Sequence, residues 1–415
     1  MSVVGLITEY NPFHKGHEYH IEKAKELTGA ENAVVIMSGN YVQRGTPAFI
    51  DKYTRTSIAL NHGADLVFEL PLPFSCSSAE YFALSAVTML NKTGIVDYIC
   101  FGAETDNISV LTNIAETLVN AKTNEEHPLN ELIKELIKTG INYATARSQA
   151  ICRYFNDNTI DDIVNKPNNI LAIEYLKALI ILNSNIKPVI IKRTLASYHH
   201  DSSNDYMYSA SSLRGNINNE NTLSDLWAFD NHYKNCFNIN FPITEKDFDT
   251  LLAEKLIYHI HNNIDLSLYN NIDSQLANRI INVYKENTFK GWNDFALKLK
   301  NKNITYTAIS RGLLSILLEI KKTDFDEYLD NNICSFLRIL GFKASSSNLL
   351  NQIKNKGSIV TFGQLSEIND STNLNQIDLK LINNSIYADE LYNSITALKF
   401  NSDIPNEYRR KLIIR

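Results

Sequence analysis

The sequence predicts an α/β protein, with a doubly wound parallel sheet in its first half and a mostly α-helical second half. Three observations carry that reading. From residue 1 to about 191, short apolar runs alternate with helix-length segments, the pattern of a sheet covered on both faces. Beyond about residue 238 the strand-like runs give way to helical periodicity. At 415 residues the chain exceeds one ordinary core, so two units are expected, 1–237 and 238–415.

Val3–Ile7 reads as a buried strand. It stops at polar Thr8 and Glu9, turns through Asn11-Pro12, and delivers His14-Lys-Gly-His17 to a helix from Glu18 to about Leu27. Ala33–Met37 is the second strand, followed by a loop of special residues, Ser38-Gly-Asn-Tyr-Val-Gln-Arg-Gly-Thr-Pro47, and a helix from about Lys52 to Asn61. Ala64–Leu70 is the third strand, closed by Pro71 and Pro73; a helix from about Ser78 to Leu90 leads to the fourth, Tyr98–Phe101, which ends at Gly102-Ala-Glu104. Pro188–Arg193 is the fifth. The roughly eighty residues between the fourth and fifth strands are more than one crossover needs. About 105–165 is therefore read as a helical insertion, after which Pro167-Asn-Asn169 begins a helix over Ile170–Leu182. Asn168 either caps that helix or meets a nucleotide from it. Ligands of such sheets bind at the carboxyl ends of the strands, which gathers Thr8–His17, Ser38–Thr46, Gly102 and Arg193 on one rim. Further on, Phe248–Tyr258, Ser274–Tyr284, Trp292–Leu299, Ala308–Ile320 and Ile333–Leu340 are expected helices.

Composition narrows the class. Five scattered cysteines without a CxxC pair suit a reducing compartment rather than a disulfide framework. No basic, apolar leader precedes Thr8, and the apolar run 170–182 is interrupted by Glu174 and Lys177 and too short to span a bilayer, so a cytoplasmic protein is expected. The net charge of -6 excludes a polycation; nucleic acid could be held only by a local patch. One candidate is the run Arg279, Lys285, Lys290, Lys298, Lys300, Lys302, Arg311, Lys321 and Lys322, interleaved with Tyr284, Phe289, Trp292, Phe295 and Tyr306. Such a mixture suits RNA backbone and unstacked bases. It also suits core aromatics with a solvated basic face, the reading that sequence alone favours.

The chemistry concentrates at the start of the chain. The first turn of a helix offers unpaired N–H groups and the positive end of the macrodipole to a phosphate. Gly16 lets the backbone approach a ligand, and the imidazoles of His14 and His17 can donate to phosphate oxygens as charge develops. Two histidines at this spacing, without a third ligand nearby, do not make a zinc site. A second anion cradle is expected where Ser211 and Ser212 precede Arg214 at a helix start, within Tyr208-Ser-Ala-Ser-Ser-Leu-Arg214. Tyr198-His-His200 lies just upstream, and the role of Gln43-Arg-Gly45 is left open between closing the site and touching RNA.

Strand, turn and His-x-Gly-His at a helix start resemble the signature of the HIGH-type nucleotidyltransferase superfamily, which transfers AMP from ATP. The resemblance narrows further. Gly5–Glu9 with Tyr10-Asn-Pro-Phe-His-Lys-Gly-His17, Met37-Ser-Gly-Asn-Tyr-Val-Gln-Arg-Gly45, Phe68-Glu-Leu-Pro71, Phe101-Gly-Ala-Glu104, Pro167-Asn-Asn-Ile-Leu171 and Ile191-Lys-Arg193 resemble the bacterial tRNA(Met) cytidine acetate ligases. The likeness is dense over about 1–215 and looser beyond, where Ile339-Leu-Gly-Phe342 stands out; Ala210-Ser-Ser212 departs from the Ile-Ser-Ser of many relatives. It implies a Rossmann-like nucleotidyltransferase domain followed by a helical, tRNA-binding domain. It also implies a ligase that activates acetate with ATP to acetyl-adenylate and acetylates N4 of the wobble cytidine of elongator tRNA(Met). ATP contact is then implied for Ile7, Thr8, Glu9, Tyr10, Asn11, Pro12, Phe13, His14, Lys15, Gly16, His17 and His20, and for Gly102, Asn168 and Arg193. Mg²⁺ is expected with ATP, without a dedicated carboxylate cage. Two other readings stay open: a small-molecule cofactor adenylyltransferase, and a non-catalytic ATP- or RNA-binding protein.

Overall fold

A computed structural model describes residues 2–193, 209–217, 219–237, 239–368 and 374–415. The first half builds strand by strand as the periodicity predicts. β1 (Val3–Thr8) leads to α1 (Lys15–Thr28) and β2 (Asn32–Ser38). A small hairpin of β3 (Tyr41–Val42) and β4 (Thr46–Pro47) precedes α2 (Lys52–Asn61), β5 (Leu66–Leu70), α3 (Ala79–Lys92) and β6 (Tyr98–Ala103). After β6 come α4 (Ile108–Thr123), α5 (Pro128–Lys138), α6 (Tyr143–Phe155) and the single turn α7 (Asp161–Val164). α8 (Pro167–Ile181) then returns the chain to β7 (Lys187–Lys192).

β1, β2, β5, β6 and β7 pair in parallel. Their side chains alternate between two cores. Val3, Val34, Ile36, Leu66 and Phe68 face α3 and α8, whereas Val4, Leu6, Val35, Met37 and Val67 face α1 and α2. A period of two with both faces apolar is what buries a strand on both sides.

The second half is mostly helical. α9 (Ala210–Gly215), α10 (Glu220–Phe229) and α11 (Asn231–Cys236) lie against the first half. α12 (Asp249–His261), α13 (Ser274–Glu286), α14 (Trp292–Leu299) and α15 (Tyr306–Leu317) enclose a third core, and α16 (Lys322–Asp330) follows. Trp292 and Phe295 are 0% and 1% exposed within it, so these aromatics of the basic run are core residues.

One expected helix is a strand. Phe336–Phe342, inside the run read as a helix from Ile333, forms β8 and pairs antiparallel with β5. β9 (Val360–Phe362), after α17 (Asn348–Lys356), and β10 (Ile413–Ile414), after α18 (Gln376–Phe400), both run parallel to β8. The strand order is β10-β8-β5-β2-β1-β6-β7, with β9 also on β8. A short continuous apolar run has no internal period to separate strand from helix; here the open edge of β5 decides it. The C-terminal residues thus complete the sheet that the N-terminal residues begin. Among the described residues, no helix is long and apolar enough to cross a membrane.

A buried ion cluster fastens this junction. Lys52 Nζ lies 2.8 Å from Glu69 and 3.4 Å from Glu407 and also pairs with Asp389; Arg338 lies 2.5 Å from Glu407 and 3.3 Å from Glu69. Two cations, from α2 and β8, thereby hold three carboxylates, from β5, α18 and the C-terminal segment. Removing one member of such a set leaves uncompensated buried charge. Lys52→Met is therefore expected to cost about 3–5 kcal/mol in chemical denaturation, and a loss below about 1 kcal/mol, the range of surface pairs, would contradict the cluster's role.

Candidate active site

A cleft of about 700 Å³ opens at the carboxyl ends of β1, β6 and β7. Its floor is the turn that follows β1. Tyr10 sits there at φ 49°, a left-handed backbone that bulky side chains seldom adopt, and Pro12 and Phe13 are buried beneath it. Phe13 packs against His17, His62 and Phe229, and its carbonyl accepts from Tyr233 Oη at 2.5 Å.

His14 is the N-cap of α1. Its Nδ1 accepts from the Gly16 N–H at 3.1 Å, and His17 Nδ1 accepts from the His14 N–H at 3.3 Å, a capping box made of two imidazoles. The rings stack with centroids 3.8 Å apart. Because both Nδ1 atoms are acceptors, the neutral rings carry their protons on Nε2, the nitrogens left to donate to a ligand. Burial and the positive charge of Arg193 pull His14 down to about 4. His17 is lowered by burial and by His14, His20 and Arg193, and His20 falls to about 4 for the same two reasons as His14. Among the described residues, His20 Nε2 is buried without a hydrogen-bond partner. The site therefore presents neutral N–H donors, not imidazolium ions, at physiological pH.

On the β6–β7 side, Glu104 takes the N-terminus of α8. It accepts from the backbone N–H of Asn168 at 3.3 Å and of Asn169 at 2.8 Å, while Asn169 Oδ1 accepts from the N–H of Glu104 at 2.8 Å. Lys166 is the N-cap, so Asn168 is free of the capping role. Its side chain bridges Glu104 at 2.6 Å and Arg193 Nη1 at 3.3 Å. A Cβ on Gly102 would lie 2.9 Å from Arg193 Cδ. The glycine thus makes room for the Arg193 stem.

On the β2 side, Arg55 is fully buried and ties the loops together. Its guanidinium donates to the carbonyls of Ile50 at 2.8 Å, Glu9 at 2.6 Å and Ser38 at 3.0 Å, and also to that of Gly39. Glu9 in turn accepts from the Gln43 N–H at 2.9 Å. Gly45, at φ 76°, closes the hairpin against α15, where a Cβ would meet Arg311 N at 2.4 Å. Thr307 and Arg311 of α15 complete the cleft wall.

Of the expected site residues, Ile7, Thr8, Glu9, Tyr10, Asn11, His14, Gly16, His17, His20, Gly102, Asn168 and Arg193 line the cleft. Pro12, Phe13, Lys15, Ser211, Ser212 and Arg214 are not in its lining. Ser209 caps α9, Ala210 reaches the cleft, and Arg214 donates to the Asn11 carbonyl, bracing the turn after β1. Tyr198-His-His200 and Tyr208 lie outside the described residues. Phe82, Phe101 and Tyr175 add an apolar wall that had no local signal in the sequence, and Gln43, Arg44, Thr307 and Arg311 come from segments not assigned to a nucleotide. Among the described residues, no three His, Cys, Asp or Glu side chains converge as metal ligands.

Unfolded imidazoles titrate near 6.5 and the folded His14 near 4. The unfolded chain therefore binds more protons between those values, and stability from this site is full above pH 6.5 and declines towards pH 4. ¹⁵N NMR of histidine-labelled protein should show His14 and His17 as neutral Nε2–H tautomers at pH 6, assigned by their disappearance in His14→Gln and His17→Asn. Titration of either near 6.5 would contradict the capping-box geometry.

The comparisons agree with this geometry. The family model described as HIGH Nucleotidyl Transferase matches residues 1–406. A tRNA(Met) cytidine acetate ligase of Clostridium novyi is 37% identical over 412 residues, covering 97% of this chain and 98% of the relative. That of Halothermothrix orenii is 34% identical over 433 residues, covering 100% and 99%. A crystal structure of Thermotoga maritima TmcAL bound with alpha-thio ATP superposes with a TM-score of 0.89 at 26% identity, covering 100% of this chain and 99% of that one. With its His-x-Gly-His cap at the mouth of a sheet-end cleft, the chain belongs to the HIGH nucleotidyltransferases and, within them, to the tRNA(Met) cytidine acetate ligase family.

Proposed function

We propose that this chain activates acetate with ATP and transfers the acetyl group to N4 of the wobble cytidine of elongator tRNA(Met), in the cytoplasm. The observation that carries the reading is the neutral His14–His17 capping box at the start of α1, beside Arg193, in a cleft whose other wall comes from the helical half of the chain.

In the first step an acetate oxygen attacks the α-phosphorus of ATP, the bond to the bridging oxygen breaks, and pyrophosphate leaves with that electron pair. Nε2–H of His14 and His17 donate to phosphate oxygens as charge shifts onto them, the α1 N-terminus adds its dipole, and Arg193 supplies the full positive charge. Donors fixed by stacking and backbone hydrogen bonds need no reorganisation at that moment. Ser211 and Ser212 are proposed to meet the departing pyrophosphate, while Arg214 acts through the Asn11 turn that it braces. Mg²⁺ entering with ATP would offset the charge of the triphosphate. In the second step N4 of cytidine attacks the acyl carbon, AMP leaves and the amine loses a proton. The apolar wall of Phe82, Phe101 and Tyr175 shields the adenylate from water meanwhile.

We further propose that the tRNA is held by the exposed lysines around α13 and α14 in the 238–415 half. Arg279 donates to the carbonyls of Leu299 and Lys298, and Lys298 pairs with Asp294 at 2.8 Å, so these two are engaged within the protein. Lys285, Lys290, Lys300 and Lys302 are exposed.

With ATP, Mg²⁺, radiolabelled acetate and unmodified elongator tRNA(Met), label should enter RNA as N4-acetylcytidine, matched by AMP and pyrophosphate. His17→Asn should lower kcat/KM by about 10³-fold, the effect of losing a fixed oxyanion donor. AMP transfer to a phosphorylated small molecule without RNA, or ATP binding without turnover, would overturn the reading. Lys300→Glu combined with Lys302→Glu should weaken tRNA binding about tenfold at fixed salt and leave ATP binding unchanged; unaltered tRNA affinity removes the proposed surface.

A further inference from the structure

We propose that Arg311, with Thr307 one helical turn before it, forms a carboxylate subsite that receives the acid to be activated. This rests on the acyl-activating reading above and assigns the cleft's second substrate position.

The sheet order divides the cleft. β6 and β7 lie on one side of β1, and β2 lies on the other. Gly102 and Arg193, at the ends of β6 and β7, and Asn168 of α8 occupy the first flank; Gln43 and Arg44, which follow β2, face Thr307 and Arg311 on the second. His14 and His17 follow β1, between the two. The cleft therefore has a guanidinium on either side of its imidazole pair. The first serves the nucleotide. An in-line displacement at phosphorus brings the nucleophile in opposite the leaving group, and with ATP on the β6–β7 flank the second flank is open to the incoming acid.

Arg311 is built for an anion that none of the described residues provides. Its backbone is fixed: Gly45 packs against it so closely that a Cβ would lie 2.4 Å from its nitrogen, and the neighbouring Ser310 Oγ donates to the Gly45 carbonyl at 2.9 Å. Among the described residues its Nε is buried without a hydrogen-bond partner, and Nη1 reaches only the Gln43 carbonyl, at 3.5 Å. Among the described residues no carboxylate lies within ion-pair distance of it. Cys76, the thiol in its field, is held neutral by burial, which pushes it up to about 12. A desolvated guanidinium without a counter-ion is costly unless a ligand supplies one. The planar fork matches the two oxygens of a carboxylate, and Thr307, four residues earlier on the same face of α15, adds a hydroxyl donor. An RNA phosphodiester carries the same anionic oxygens. Arg311 is half-buried whereas Arg44 beside it is exposed, which favours a small acid at Arg311.

Steady-state kinetics on the full chain, varying acetate, ATP and elongator tRNA(Met) in turn, decides it. Arg311→Lys and Arg311→Gln should raise the KM for acetate about tenfold or more, the loss of one charge-assisted bond, with the KM values for ATP and tRNA within about twofold of wild type. Thr307→Val should raise the acetate KM by a smaller factor. It keeps the arginine, so it remains informative if Arg311→Gln misfolds. An unchanged acetate KM overturns the subsite: a raised tRNA KM then assigns Arg311 to RNA phosphate, a raised ATP KM to the nucleotide, and a fall in kcat alone to packing. If the wild-type chain consumes no acetate, the acyl-activating reading itself falls and the subsite with it.

Discussion

Carbonyls of Glu9, Ser38, Gly39 and Ile50 converge on the buried guanidinium of Arg55, and the cleft depends on that clasp. The carboxyl ends of β1 and β2 must leave the sheet just where a ligand is to bind, so their carbonyls lose strand partners. A guanidinium carries five donors in a rigid fork, enough to satisfy four carbonyls from three segments at once; an ammonium cannot reproduce that geometry. The clasp fixes Glu9, which orients the Gln43 turn, and it holds the loop that precedes the capping-box histidines. Donors at the site are thereby positioned before any substrate arrives, which is the condition for electrostatic stabilisation of a transition state.

The same logic extends to the junction between the two halves of the chain. Lys52, one turn before Arg55 on α2, reaches Glu69 of β5, Asp389 of α18 and Glu407 near the C-terminus. β8 docks beside β5 and brings Arg338 into that cluster. Asn40 Nδ2 donates to Asp389 at 2.9 Å, and Tyr41 Oη to the Ala388 carbonyl at 3.0 Å, so the hairpin loop is anchored on α18. Because the hairpin also packs on α15, the helical half is in fixed register with the cleft. An enzyme that takes acetate, ATP and tRNA needs that register, since the adenylate must be handed to an incoming amine.

The parts legible in the sequence are those written in local patterns. The alternation at Val3–Thr8 and Asn32–Ser38, the Pro167 start of α8 and the His-x-Gly-His cap each declare themselves within a dozen residues. The parts that were not legible depend on residues far apart in the chain. Lys52 and Arg55 look like ordinary surface charges on an amphipathic helix, yet both are 0% exposed because their partners come from other elements. Ile333–Leu340 contains a strand only because β5 offers an edge. Arg311 counted as one more cation in a basic run; folding sends it to the cleft while Trp292 and Phe295 from the same run enter the core. Gly102 was legible as a rim position at the end of the fourth strand, but the Arg193 stem that lies where its side chain would be was not.

A crystal structure of the chain with a non-hydrolysable acetyl-adenylate analogue would show whether the imidazole pair divides the cleft into a nucleotide flank and an acid flank. Adenosine is expected beside Gly102 and Asn168, the phosphate mimic on Nε2 of His14 and His17, and the acetyl group directed towards Thr307 and Arg311. An analogue lying the other way, with its adenosine against the hairpin and α15, would contradict that division.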